Sequence, residues 1–284
     1  MNNLAFTYTN NTEYQIHYKP ALSVQSLNQE LINTAQLIGR STQHPIVLAF
    51  SGGIDGEVIA RSFLAAGIEF SALTLVYKHG LNKHDVHWAK KFCTENKIKH
   101  YLVELDLANF IQSGYQKYLD LGYQAHNVYR YLQLHLVDLI DAMGATAVTG
   151  GGEILIINHD DVAVMKQESS FVNVIEYSKN LKRMHFPYFL QFRPECVASY
   201  LDEKLIRFLL DNVQYFPKDT WASTEKIMIF HSYFPEMERR NKFHGFELVT
   251  KLRQDKQKEL ESLCPDVKYI LKPISEILQE LKRQ

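Results

Sequence analysis

Ser51-Gly52-Gly53-Ile54-Asp55-Gly56 is the stretch of this 284-residue chain whose residue types and spacing point most directly at chemistry. Two successive glycines let a backbone curl tightly and come close to a ligand. A helix opening behind such a turn offers unpaired N–H groups and the positive end of its dipole, which suits phosphate oxygens. Ser51 adds a hydroxyl donor, and the carboxylate of Asp55 stands where a phosphate-bound Mg²⁺ would sit. Alone, the pattern is an ordinary glycine-rich turn with an acid at a helix start, where acids are favoured anyway. Its setting argues for more. Ile46–Phe50 is a continuous apolar run, the mark of a strand buried on both faces. Beyond the loop, Ile59, Phe63 and Ala66 fall on one helical face that Gly67 ends.

Two further stretches carry suitable groups. Thr149-Gly150-Gly151-Gly152-Glu153 closes a fourth apolar strand, and ligands of doubly wound sheets bind outside the carboxyl ends of the strands where strand order reverses. If the first and fourth strands are neighbours, Glu153 approaches Asp55 and shares its Mg²⁺. Arg239-Arg240-Asn241-Lys242 is a basic segment whose charge suits that developing on a leaving pyrophosphate. No GxxxxGK[ST] motif occurs, which excludes a Walker-type NTPase, and Gly150–Gly152 lacks the spacing of a GxGxxG fingerprint.

The first loop resembles the signature of the PP-loop ATP pyrophosphatase superfamily, Ser-Gly-Gly-x-Asp-Ser after the first strand. That resemblance implies ATP and Mg²⁺ as cofactors, with Ser51, Gly52, Gly53, Ile54, Asp55 and Gly56 around the pyrophosphate and adenylation of a substrate oxygen. It also implies adenosine at the end of the second strand, near Tyr77, and at Gly150, Gly151 and Gly152. The one departure is Gly56, where the family usually has a serine; a lost charge-assisted hydroxyl contact is worth roughly 1–3 kcal/mol. Because the position opens a helix, Gly56→Ser is expected to be tolerated and to keep or raise pyrophosphate exchange. The alternative is that Gly56 makes room for another group.

Glu225-Lys226, Phe234-Pro235 and Arg240-Asn241-Lys242 are similar to the synthetase domain of asparagine and β-lactam synthetases. There an Arg-x-Lys lysine steadies the transition state, which makes Lys242 the first catalytic candidate, Lys226 the second and Arg240 their companion. Asn2, where asparagine synthetases carry a nucleophilic Cys in a glutaminase domain, implies a separate ammonia source (free ammonia or a partner glutaminase), an amine substrate or no nitrogen at all. Sulfur chemistry (tRNA thiolation or adenylyl-sulfate reduction) and a non-catalytic nucleotide-binding subunit remain the competing readings. The acceptor, a small molecule or a nucleotide, is left open.

Strands at 46–50, 70–77, 100–105 and 145–149, spaced by helical patterns, make βαβ units and hence a doubly wound parallel α/β sheet. Residues 1–44 form an N-terminal annex, with a short strand at 14–18 and a helix over 26–38 that Gly39 ends; 45–185 is the nucleotide-binding domain, and 186–284 a mostly helical region completing the site. A hairpin is expected at 154–166, and a helix from Pro194 presents Val197, Leu201, Leu205 and Phe208 on one face. Net charge is −1, which argues against nucleic acid or anionic lipid as a partner. Cys93, Cys196 and Cys264 are too scattered for a disulfide framework or a zinc site, and His79, His84 and His87 lack a closing ligand set. Without an apolar span or signal segment the chain is expected to be cytoplasmic and off the membrane.

Overall fold

The computed structural model describes residues 4–9, 15–150, 154–218, 223–238, 240 and 245–283. An antiparallel hairpin of β1 (Phe6–Thr9) and β2 (Gln15–Tyr18) is followed by α1 (Leu27–Ser41), whose N-cap Ser26 accepts from the Gln29 N–H. Then come β3 (Ile46–Ala49), α2 (Ile54–Ala65), β4 (Ser71–Tyr77), α3 (Lys83–Glu95) and β5 (His100–Leu105). A short α4 (Leu107–Asn109) runs through a wide turn at Phe110–Gly114 into α5 (Gln116–Asp120), and α6 (Val128–Ala142) leads to β6 (Thr146–Thr149).

These strands form a parallel sheet in the order β5-β4-β3-β6, so the chain is an α/β protein with a doubly wound parallel sheet. β3 is buried between β4 and β6, with Ala49 opposite both Leu73 and Thr149. Its continuous apolar run thus reports burial on both faces. The direction of pairing reverses at β3, which places the loop after β3 at the crevice where such sheets take ligands.

β7 (Ile156–His159) and β8 (Val162–Glu168) make the expected hairpin. Beyond it lie α7 (Val172–Asn180), α8 (Pro194–Asp202), α9 (Lys204–Asp211), α10 (Ser223–Tyr233), α11 (Thr250–Leu263), β9 (Tyr269–Pro273) and α12 (Ile274–Lys282). Among the described residues no helix is long and apolar enough to cross a membrane.

Two local expectations are corrected. Gly39 does not end α1 but lies inside it, because a Cβ there would stand 2.7 Å from Ile68 Cδ1; the glycine is a packing notch. The helix from Pro194 breaks at Glu203, which turns Phe208 outward at 61% exposure and buries Ile206 and Leu209 instead. Within the mostly helical C-terminal region, β9 pairs with β8 and turns the hairpin into a three-stranded sheet. The annex is tied to this far end of the chain: the Tyr18 hydroxyl donates to Gln191 Oε1 at 2.8 Å, and its N–H donates to Glu280 at 2.9 Å.

Candidate active site

The loop begins where β3 ends. Phe50 donates its N–H to Leu73 O at 2.8 Å and accepts from the Thr74 hydroxyl, so β4 grips the main chain just ahead of Ser51. Gly52 then adopts φ +93°. A Cβ at that position would lie 2.0 Å from Asp85 O and 2.8 Å from Ala89 N, both backbone atoms of α3. Only glycine satisfies both the angle and the approach. Gly53 is the N-cap of α2 and supplies no side-chain cap, so the first amides of that helix are left for a ligand. The exposed Ser51 hydroxyl accepts from Gly53 N–H at 3.2 Å, which leaves its own proton to donate outward.

Gly56, in the first turn of α2, has a structural cause. A Cβ on it would meet the Phe50 ring at 2.8 Å (Cδ2) and 3.3 Å (Cε2), and that ring is fully buried edge-on against Phe92, centroids 5.5 Å apart. The expectation that serine fits freely here is therefore corrected. Gly56 makes room for the aromatic residue that anchors the loop.

Two acids share the first turn of α2, and each meets a base from the far end of the chain. Lys226 Nζ, on α10, lies 3.0 Å from Asp55 Oδ1 and 3.2 Å from Oδ2. Glu57 is buried and accepts from Arg61 through Oε1, at 2.9 Å to Nε and 2.7 Å to Nη2, and from Arg240 Nη2 through Oε2 at 2.5 Å. The Arg240 guanidinium also stands over the Trp88 ring of α3, 5.2 Å from its centroid. Arg240 is thus turned toward Glu57 and Trp88. Lys242, Glu153, Gly151 and Gly152, the remaining expected groups, lie outside the described residues.

Behind Gly52, the Asp85 carboxyl is pushed up to about 6, chiefly by burial; His84 and Arg240 act against this and Glu247 adds to it. Tyr77 ends β4 but points inward: its ring packs at 86° against Phe246, centroids 6.2 Å apart, and burial raises its hydroxyl pKa. Its N–H donates to Asn82 Oδ1 at 2.9 Å, which closes the turn after β4, where His79 takes φ 62°. What that strand end offers a ligand is main chain rather than the phenol. On the other side Thr149 ends β6, its buried hydroxyl without a hydrogen-bond partner among the described residues, and Gly150 rests 3.5 Å from Ile59 Cδ1 by its added Cβ. His84 stands 3.6 Å from Asp85 and packs edge-on against Trp88, and among the described residues no group of three His, Cys, Asp or Glu side chains is arranged to hold a metal.

The family model described as "Queuosine biosynthesis protein QueC" matches residues 45–120, the segment that runs from β3 through the loop to the end of α5. The matched segment contains the loop Ser51–Gly56. A curated relative, the tRNA-specific 2-thiouridylase MnmA of Nitrobacter hamburgensis, is 29% identical over 86 residues. That match spans 27% of this chain and 22% of the relative's length. Among solved structures, the NH3-dependent NAD synthetase of Campylobacter jejuni aligns over 85% of this chain and 93% of its own, with 14% identity and a TM-score of 0.36. An NMN synthetase of Francisella tularensis aligns over 85% and 94%, with 14% identity and a TM-score of 0.36.

Ser51–Gly53 and the opening of α2 lie inside the matched segment. Glu57, Arg61, Asp85 and Trp88 pack around them, and sequence reasoning passed over them as parts of the candidate site. Only the Glu57–Arg61 pair had a local signal, its i,i+4 spacing.

Proposed function

We propose that the chain uses ATP to adenylate an oxygen of a small-molecule or nucleotide acceptor, releasing pyrophosphate, with a nitrogen nucleophile then displacing AMP. The observation that carries this reading is the loop itself: Gly52 at φ +93°, wedged against α3, opens a helix whose first amides are uncapped. Such a cradle takes the pyrophosphate portion of a nucleotide. The acceptor oxygen attacks the α-phosphorus in line as the bond to the bridging oxygen of pyrophosphate breaks. The residues that surround the loop contribute position and charge rather than covalent chemistry.

Asp55 fits a Mg²⁺ ligand. It is a hard oxygen donor at the helix opening, and its carboxylate already faces a cationic group, Lys226, at 3.0 Å. Mg²⁺ commonly binds through one or two carboxylates together with substrate phosphates, so Asp55, with Glu153 as the second carboxylate, would hold it. Bound there, Mg²⁺ neutralises charge on the phosphate oxygens. With a metal on Asp55, the Lys226 ammonium would support the departing pyrophosphate, with Lys242 as the further candidate.

Sulfur transfer is the second reading, favoured by the match to a 2-thiouridylase. The cysteines of this chain argue against a relay through them. Cys93, Cys196 and Cys264 are all free and buried, and burial pushes the first two thiols up to about 12. A thiol held that high supplies almost no thiolate near neutral pH.

ATP/pyrophosphate exchange with Mg²⁺, followed by product analysis over a panel of carboxylate, amide and modified-nucleoside acceptors with ammonium, tests the proposal. AMP and pyrophosphate are expected. ADP and phosphate as products would overturn it.

A further inference from the structure

We propose that Arg240 is a positioning residue: it holds the phosphate-binding loop in shape by clamping α2 to α3, and it does so through Glu57 and Trp88 rather than by touching phosphate. The inference rests on the nucleotide-binding reading above and assigns how its loop is held.

Gly52 is the point at which the loop must be held, since its backbone lies directly against Asp85 and Ala89 of α3. The wall on one side of Gly52 is the first turn of α2, which carries Glu57; the wall on the other is α3, which carries Trp88 next to Ala89. Arg240 bridges the two. Its Nη2 donates to Glu57 Oε2 at 2.5 Å, and its guanidinium plane stands 5.2 Å over the Trp88 ring. The Arg240 and Glu57 side chains are only 5% and 4% exposed, so the pair is shielded from water and from salt.

Arg61 completes the clamp from within α2. It takes the other carboxylate oxygen of Glu57 with two N–H groups and stands over Phe92 of α3 at 5.3 Å. Glu57 is an acid in the first turn of an anion-binding helix, where an uncompensated negative charge would repel phosphate. Two guanidinia on that carboxylate compensate its charge while using up the guanidinium edges that face it. The chain leading to Arg240 is held on the same two helices. Phe234 and Met237 are buried, Glu236 pairs with Arg61 at 2.5 Å, and Glu238 pairs with Lys91. Arg240 therefore arrives from a docked segment and ends in a closed ionic site.

The test compares the parent with Arg240→Gln, Glu57→Gln and the double variant. In ligand-free protein, hydrogen exchange of the amides of residues 50–57 and 83–89 should quicken in Arg240→Gln, because the clamp acts before any nucleotide arrives. Unchanged exchange in both stretches would overturn the proposal. For MgATP affinity, each single variant should lose about tenfold and the double variant no more than that, since residues acting through one contact are not additive. Losses that multiply to about a hundredfold would mark Arg240 as an independent phosphate ligand and overturn the proposal. If Arg240→Gln does not fold, Arg240→Lys carries the same exchange test, because lysine keeps the charge but lacks the planar fork that reaches Glu57 while stacking on Trp88. Should the parent itself fail to bind MgATP, the nucleotide reading falls, while the exchange measurement still decides the role of Arg240.

Discussion

Lys226 and Asp55 stand 171 residues apart in the sequence and 3.0 Å apart in the fold, the lysine ammonium on the carboxylate that opens α2. The pair joins α10 to the opening of α2, just behind the glycine-rich loop. Under the proposed function Asp55 would have two competing occupants, this ammonium and a metal ion.

Lys226→Met separates those roles. The pair is partly exposed on the aspartate side, at 28%, so its loss should cost the fold only about 1 kcal/mol. Pyrophosphate exchange should fall about 10–100-fold, because the missing charge counts most once pyrophosphate is leaving. Thermal melting together with exchange rates checks this. A large loss of stability with exchange preserved in the remaining folded protein would make Lys226 a purely structural partner of Asp55.

Gly56→Ser should weaken the protein rather than improve it. The new Cβ would press on the Phe50 ring at 2.8 Å, and overpacking of this kind costs about 1–3 kcal/mol. Phe50→Leu added to Gly56→Ser should recover part of the stability, because it removes the atoms that clash. The comparison of melting temperatures among the three proteins is decisive: a serine variant as stable as the parent would mean that the ring moves aside at no cost.

Gly52→Ala tests the loop directly. It combines a positive φ with a clash against backbone, so at least about 2 kcal/mol of stability should go, together with nucleotide binding. Binding of a fluorescent ATP analogue, read beside a melting curve, measures both. Retained affinity would place the phosphate elsewhere.

Stability should also depend on pH through Asp85. Its pKa is raised from an ordinary 3.8 to about 6 by burial, so the folded protein holds the proton more tightly than the unfolded chain does. Stability from this group therefore falls as pH rises through the window between those values, and it is lowest and constant above it. The size is on the order of 2 kcal/mol. Asp85→Asn should flatten the change in melting temperature between about pH 4 and 6 relative to the parent. An equally steep slope in the variant would assign it to other groups.

Replacing Cys93, Cys196 and Cys264 together by Ala or Ser should leave ATP/pyrophosphate exchange within about threefold of the parent, since buried thiols with raised pKa are inert. Loss of acceptor modification with exchange intact would instead support a sulfur relay.

The sequence by itself determined the sheet and the loop. The apolar run of β3, the paired glycines and the amphipathic helix behind them are local patterns, and each has one economical folding solution: a strand buried on both faces, a tight turn and a helix opening toward a ligand. The alternation of strands and helices implied a parallel sheet, because crossovers of one hand leave few arrangements, but the order β5-β4-β3-β6 with β6 beside β3 was settled by the fold. Local signals failed where two explanations share one pattern. Gly39 reads as a helix stop but is a notch for Ile68, and β9 is too short for its alternation to stand out beside the helices that flank it. What only the tertiary structure decided were the partners of charges and of empty space. Glu57 looks like any acid in a first helical turn, and Arg240 like part of a solvated basic run, until the fold buries both and pairs them across 183 residues. Gly56 looks like a lost serine until Phe50 is seen to occupy the volume a side chain would need. Periodicity records which face of an element is buried, but not which distant residue meets it there; that is fixed only when the layers pack.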